Sequence, residues 1–353
     1  MKPVWSVREL AEMREAETLP PYAVKSSQGQ RAVFETPCPY RTDFQRDRDR
    51  IIHSKAFRRL AYKTQVFINP AGDHYRTRLT HTLEVDQIAR TLANSLNLNE
   101  NLTEAIALGH DLGHTPFGHS GERVLNRLRP GGFTHQAQSL RIVDKLAKDG
   151  EGLNLTRQVR DGILKHSKGR GPIFAEGGRG PATLEGQLVR VSDIIAYLAH
   201  DLDDALRAGV ITFDDVPAHL REVFGPRGST RIGAMVGDLL ANSRPDNDGS
   251  SLTLAFSPEM ERDMNDLRNF LFDQVYQHPV LAGSLGKADR IIEGLYYQFV
   301  QDRDLLVEYY PAAAKETDSL EVIVCDFIAG MTDRYALQVY QDLFWPQCWP
   351  VEN

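Results

Sequence analysis

The chain has 353 residues, 41% of them hydrophobic and 25% charged, with a formal net charge of -7. This is the balance of a soluble globular protein, and the acidic excess excludes a general nucleic-acid-coating role while leaving room for a local basic pocket. Cys38, Cys325 and Cys348 lie far apart with no CxxC spacing, which argues against a disulfide framework and points to the cytoplasm. Residues 1–14 are charged and hold no apolar run, so a signal peptide is not expected. No apolar stretch reaches the ~20 residues that span a bilayer.

Residues 1–40 read as an extended or mobile leader, because Pro20, Pro21, Gly29, Pro37 and Pro39 punctuate them. Residues 49–63 turn basic and amphipathic. Thr82, Val85, Ile88, Leu92 and Leu96 recur at helical spacing, which predicts a helix from about residue 80. A second helix is predicted over 100–112, stopped by Gly113 and Pro116. A third covers 133–147 and a fourth 155–166. Glycines at 169, 171, 177, 178 and 180 predict a mobile surface loop over 167–182. One of the clearest helices spans 184–208, with Leu188, Val191, Ile195, Leu198 and Leu202 as its apolar face. Residues 226–251 are again rich in Gly, Ser and Asn, and helical patterns resume from 258 to about 344. No internal repeat or low-complexity tract is visible. These patterns predict a single all-α domain over 41–345. Its core lies at about 75–210, with a C-terminal helical part at about 255–345 and loop insertions. Chemistry-bearing residues on both sides of the 167–182 loop argue against a domain boundary there.

Five of the eleven histidines fall between His81 and His135. Three share one run, His110-Asp111-Leu112-Gly113-His114-Thr115-Pro116-Phe117-Gly118-His119-Ser120-Gly121-Glu122. A packed core has no use for so many imidazoles in one place, and histidine is both a common metal ligand and the proton shuttle of neutral pH. His81 starts one predicted helix. His110 and Asp111 end the next, where a broken helix lets adjacent side chains converge. Asp193 lies on the polar face of the 184–208 helix. Any one of these residues alone is more often a cap or a surface group; together they make a site for one divalent cation. Imidazole with carboxylate suits Mn²⁺, Fe²⁺, Ni²⁺, Zn²⁺ or Mg²⁺. The lack of thiolates argues against structural zinc, and open coordination positions are what a catalytic metal needs.

The order His81, His110-Asp111, Asp193 resembles the signature of the HD-domain metal-dependent phosphohydrolases. A longer set is narrower. Residues 78–85, the 110–122 run, Phe133-Thr134-His135-Gln136, residues 193–204 and Gly330-Met331-Thr332-Asp333-Arg334-Tyr335 resemble the deoxyguanosine triphosphate triphosphohydrolase family, over about residues 40–335. The resemblance implies an all-α HD-domain bundle around the metal pocket. It implies hydrolysis of dGTP, or of deoxynucleoside triphosphates broadly, to deoxynucleoside and inorganic triphosphate, in control of the deoxynucleotide pool. The implied cofactor is a divalent metal, Mg²⁺ or Mn²⁺ first, with Fe, Ni, Zn or Co as others. A homo-oligomer, and a deoxynucleoside triphosphate acting also as activator, are implied as well.

By motif position the resemblance gives the proton work to His119 and Glu122. They are three apart, so on a helical turn they share a face, and a carboxylate partner holds an imidazole in one tautomer and supports its cation. Cleavage at the α-phosphorus expels a sugar 5′-oxygen that needs a proton. His119 is expected to give it, while water made acidic by the cation attacks. His114 and His135 resemble phosphate-contacting histidines. Arg78 precedes His81 by one turn and resembles a phosphate-contacting arginine. Asp193, Tyr197 and Asp201 fall at i, i+4 and i+8 in one polar stripe. Tyr197 resembles a tyrosine that contacts phosphate and packs under the sugar, and Asp201 with Gln65 resembles the pair that reads the sugar 3′-hydroxyl. Many relatives place a basic residue directly after the ligand aspartate. This chain has Ile194, so one phosphate contact is missing or comes from elsewhere. Residues 330–335 receive no role from the residues alone.

Two other functions compete. One is another HD-type nucleotide phosphohydrolase, such as a phosphatase or cyclic-nucleotide esterase, against which Gln65 and Asp201 speak. The other is a non-catalytic nucleotide sensor or single-stranded nucleic-acid binder. Such a protein should have lost a ligand or the proton donor, yet His81, His110, Asp111, Asp193, His119 and Glu122 are all present. The basic residues of 46–63 keep a single-stranded nucleic-acid contact open, though a solvated face is the plainer explanation for most of them. No membrane partner is expected. Preferred base, native metal, oligomeric state and need for an activator are not written in these residues.

Overall fold

A computed structural model describes residues 5–65, 76–167, 171–175 and 177–346. Its regular structure is helical throughout, apart from one antiparallel pair, Arg244–Pro245 with Leu252–Thr253, the only sheet among the described residues. The all-α class predicted from patterning is therefore the class observed. Among the described residues no helix is long and apolar enough to cross a membrane.

Four helices frame the site: Arg78–Ser95, Glu100–Gly109, Arg157–Lys165 and Leu184–Arg207. Three of them begin on a residue suited to its cap. Thr77, Asn99 and Thr183 accept from the backbone N–H groups of Thr80, Leu102 and Gly186, which satisfies donors a helix start leaves orphaned. Val85, Ile88, Ala89 and Leu92 form one buried stripe, and Leu188, Val191, Ile195, Leu198 and Leu202 form another. Glycine sets how closely two of these helices approach. A Cβ on Gly162 would lie 2.6 Å from Ile106, and one on Gly109 would lie 2.6 Å from Ile163. A second hydrophobic cluster joins Val124 and Leu125 of His119–Leu128 to Pro279–Gln301, Leu320–Gly330 and Asp333–Phe344. The 110–122 run crosses between the two clusters, with Leu112 in the first and Phe117 in the second.

Three expectations are corrected. The leader over 1–40 is not extended throughout: Val7–Thr18 is a helix, started by a reciprocal Ser6–Glu9 capping box. The residues beyond this helix are docked, since Ser26 binds the Glu15 carboxylate and Val24 N–H donates to buried Glu185. The Gly/Ser/Asn-rich stretch over 226–251 contains the helix Gly228–Asn242, which buries Arg231, Met235 and Leu239 at a spacing of four. Burial of that stripe outweighs the weak helix propensity of its glycines. The helix predicted over 133–147 is regular only as His135–Arg141 and then widens into a π-turn, Ile142–Leu146. The 167–182 loop falls partly on residues outside the described set. Its described part is fastened, with Arg190 donating to the carbonyls of Ser167, Pro172 and Ile173.

Candidate metal and acid-base site

His81 stands on the first turn of Arg78–Ser95, His110 caps Glu100–Gly109, and Asp193 projects from Leu184–Arg207. One ligand atom each from His81, His110 and Asp111 lies within 4.8 Å of the others, and all three residues are buried. Asp193 joins through His81, whose Nε2 is 3.1 Å from Asp193 Oδ1. His110 Nδ1 donates to the Ala107 carbonyl at 2.6 Å. That bond leaves Nε2 as a lone pair, buried and without a partner, 3.4 Å from Asp111 Oδ1. Leaving a buried polar atom unsatisfied costs about 1–3 kcal/mol; a cation held there would remove the cost, with the carbonyl bond fixing the ligating tautomer. Two imidazoles and two carboxylates fit a divalent cation with positions left open. Burial pushes the Asp111 and Asp193 carboxyls up, but the Arg78 guanidinium bonded to Asp111 and the His81 imidazole bonded to Asp193 hold both well below their usual range.

Asp111, His114 and His135 form a second trio with donor atoms within 4.8 Å. Arg78 decides what it can hold. Its Nη1 donates to Asp111 Oδ2 at 2.8 Å, while its Nε and Nη2 are buried without partners. A buried guanidinium with two idle donors repels a second metal and suits an anionic oxygen.

His119 opens the helix His119–Leu128, and Glu122 follows one turn on. His119 Nδ1 is 3.5 Å from Glu122 Oε2, and its side chain is 78% exposed. Glu122 is gripped from the other side by His135, through its backbone N–H at 2.8 Å and its Nδ1 at 2.9 Å. Burial raises the Glu122 carboxyl, but the bonds from His119 and His135 outweigh it and hold the group far below its usual range. His135 stacks on His114 with ring centroids 3.9 Å apart. Burial and the Arg78 charge keep His114 neutral. With Nε2 3.2 Å from Asp111 Oδ1 as donor, its Nδ1 is an acceptor. A direct bond from His114 to phosphate therefore needs the protonated ring.

His166, Tyr276 and Lys63, to which sequence patterns gave no site role, belong here beside Tyr197, Gln65 and the 330–335 motif. His166 is buried, donates from Nδ1 to the Ile163 carbonyl at 2.8 Å, and offers Nε2 to His135 Nε2 at 3.2 Å; burial pushes it down to about 3. Its only signal was its position at the end of the predicted 155–166 helix. Tyr276 donates its hydroxyl to Asp201, and burial raises both groups. Tyr197 is half-buried on the face shared with Asp193 and Asp201. Gln65 Oε1 is buried without a partner, and residues 66–75 beside it are outside the described set. Lys63 is buried and donates from Nζ to the carbonyls of His114 and Ala329; burial and nearby Arg59 bring it down to about 7. Asp333 accepts the Phe117 N–H at 2.9 Å, which gives the 330–335 motif a place in the site.

For Arg46, Arg48 and Arg50 the plain explanation holds, since they pair with Glu35, Asp49 and Glu104. Arg46 and Arg50 also border a separate cavity of about 1440 Å³, which Arg58, Arg59 and Lys63 line with Lys145, Lys315 and Tyr310. Leu112 and Lys63 lie in its wall, next in chain or by hydrogen bond to the imidazole cluster.

Comparison with known proteins places this geometry. The HD domain matches residues 78–206, which hold all four candidate ligands, and a phosphohydrolase-associated domain matches residues 254–342. A deoxyguanosinetriphosphate triphosphohydrolase-like protein of Caldanaerobacter subterraneus subsp. tengcongensis is 52% identical over 350 residues, covering 98% of each chain. Another so named, of Desulfatibacillum aliphaticivorans, is 51% identical over 97% of this chain and 99% of its own. One of Clostridium perfringens is 45% identical over 90% and 91%. Among solved structures, a hypothetical protein from Aquifex aeolicus superposes with a TM-score of 0.46 at 19% identity, over 85% of this chain and 68% of that one. The protein is thus a metal-binding hydrolase of the HD class. Within that class it belongs to the family of deoxyguanosinetriphosphate triphosphohydrolase-like proteins.

Proposed function

We propose that the protein hydrolyses deoxynucleoside triphosphates at the α-phosphorus, releasing deoxynucleoside and intact triphosphate, in cytoplasmic control of the deoxynucleotide pool. The observation that carries this reading is Arg78: a guanidinium buried beside the candidate metal ligands, with Nε and Nη2 left idle. Such a group calls for a polyanion at the metal. The names of the relatives supply the substrate class.

His81, His110, Asp111 and Asp193 would hold the metal, with Mg²⁺ or Mn²⁺ the first choices and Fe, Ni, Zn or Co to be tested beside them. A divalent cation there supplies the charge that acidifies water and screens phosphate oxygens. Arg78 binds phosphate through its two free donors, and His135 and His114 wall the phosphate side. Tyr197 lies under the sugar, and Gln65 and Asp201 read its 3′-hydroxyl, the latter oriented by Tyr276. Glu122, fixed by His135, orients the His119 imidazole. The exposed His119 ring then gives its proton to the departing 5′-oxygen.

The basic cavity is our site for an activating nucleotide, with Arg58, Arg59 and Lys315 for phosphates and Tyr310 for stacking. Its mixed acidic and basic wall suits one nucleotide better than a nucleic-acid strand, which salt dependence of binding tests. Exposed Trp5, Val7, Leu10 and Met13 support self-association into a homo-oligomer.

The test is to incubate the protein with Mg²⁺ or Mn²⁺ and each deoxynucleoside triphosphate, alone and mixed, and to identify the products. Deoxynucleoside with triphosphate is the expected pair, and faster turnover in mixtures is the activator's mark. Orthophosphate, pyrophosphate or a monophosphate would move the protein to another kind of HD phosphohydrolase.

A further inference from the structure

Asp333 is 9% exposed on the first turn of Asp333–Phe344, far along the chain from the 110–122 run. Its carboxylate accepts three hydrogen bonds. Phe117 N–H reaches Oδ1 at 2.9 Å, Thr64 N–H reaches Oδ2 at 2.9 Å, and the Thr64 hydroxyl donates to the same oxygen.

The Phe117 bond falls where the backbone needs help. Phe117 has φ of 60° and Gly118 has φ of 59°, a region that strains a non-glycine residue such as Phe117. The strain has a product. A Cβ at Gly118 would lie 3.0 Å from the Gln65 carbonyl oxygen and 3.3 Å from Arg78 Nη2. The left-handed pair therefore brings the loop against two candidate substrate contacts, and His119 is the next residue. The Thr64 bonds hold the residue before Gln65. Lys63 makes a parallel tie between His114 and Ala329.

We infer that Asp333 is a positioning residue for the hydrolysis: it holds Phe117 in the conformation that aims His119 at the departing oxygen. This rests on the reading of His119 as proton donor. Asp333 is not one of the candidate metal ligands or substrate contacts; its partners are Phe117 and Thr64. It acts through the loop, so the loss of its Phe117 bond should show in the step that needs a proton donor, while its Thr64 bonds act on the residue before Gln65.

Asp333→Asn keeps the side chain's shape but sets an amide N–H against the N–H and O–H donors, so at least one bond is lost. With a deoxynucleoside triphosphate, kcat should fall roughly 10- to 100-fold while KM moves little. The same nucleotide with sulfur in place of the bridging 5′-oxygen is the discriminating substrate. There water adds to phosphorus as the P–S bond breaks, and the thiolate leaves without a proton. Asp333→Asn should hydrolyse it nearly as fast as the unaltered protein, as His119→Ala should. Equal losses on both substrates, or unchanged rates on both, would overturn the inference. Amide exchange gives a readout independent of turnover. Faster exchange in Asp333→Asn confined to the Phe117–His119 segment and Thr64 supports the positioning role, and unchanged exchange there overturns it. If the unaltered protein releases no triphosphate, the proposed reaction fails, and Asp333 is still judged by exchange.

Discussion

Glu122 stands between two imidazoles, and the contact lengths separate their jobs. His135 is buried and bonds it at 2.8 and 2.9 Å; His119 is exposed and lies 3.5 Å away. The near partner fixes the carboxylate, and the far one keeps the freedom to reach a substrate. His119→Ala should retain metal and nucleotide binding but lower kcat by roughly two to four powers of ten, measured by single turnover. Retention of the full rate would remove His119 as the acid. His110→Ala should abolish turnover by losing metal, read directly as metal content per chain. The adjacent His110 and Asp111, and the three-residue step from His119 to Glu122, were legible because local spacing alone brings them together. His166, Tyr276 and Lys63 were not, because tertiary packing places each of them. A helix-terminal histidine, a tyrosine 75 positions from its aspartate and a lysine in a basic run look ordinary along the chain.

The helix Leu184–Arg207 carries Asp193, Tyr197 and Asp201, and its first turn also anchors the N-terminal segment. Glu185 is fully buried there and accepts N–H bonds from Val24 at 3.0 Å and Asn99 at 3.2 Å. Burial raises its carboxyl to about 7. Between the unfolded value near 4.5 and that point, the folded chain keeps a proton that the unfolded chain releases. The group's contribution to stability is thus fully present below about 4.5 and is lost as pH rises through about 7. Glu185→Gln keeps an acceptor and removes the titration. Relative to the unaltered protein it should gain roughly 1–3 kcal/mol between pH 5 and pH 8, measured by denaturant unfolding. A difference that does not change with pH would contradict this. The 184–208 helix was legible because its apolar stripe is unbroken. The docked leader and the helix Gly228–Asn242 were not: prolines mask a segment held by side-chain bonds to Glu15 and Glu185, and glycines mask a stripe of Arg231, Met235 and Leu239.

Across the whole molecule the 110–122 run bridges two hydrophobic clusters; Asp333 clamps it from the C-terminal part, and Lys63 ties its His114 to Ala329. Metal held by residues from three helices should stabilise the fold as well as drive chemistry. At a hundredfold excess over its dissociation constant a bound cation contributes about 2.7 kcal/mol. Chelation should therefore lower the melting temperature, and re-adding Mn²⁺ should restore it; a melting temperature indifferent to chelator would argue against the four-residue site. The all-α class was readable from periodicity. The meeting of the two clusters at the site was not, since nothing local in residues 330–335 announces a bond to Phe117. Turnover of a deoxynucleoside triphosphate in oxygen-18 water with Mn²⁺, read by mass spectrometry, tests the proposed hydrolysis at the α-phosphorus. Attack there places one heavy oxygen in an intact triphosphate and none in the deoxynucleoside. Label in orthophosphate or pyrophosphate, or in the sugar 5′-hydroxyl, would contradict it.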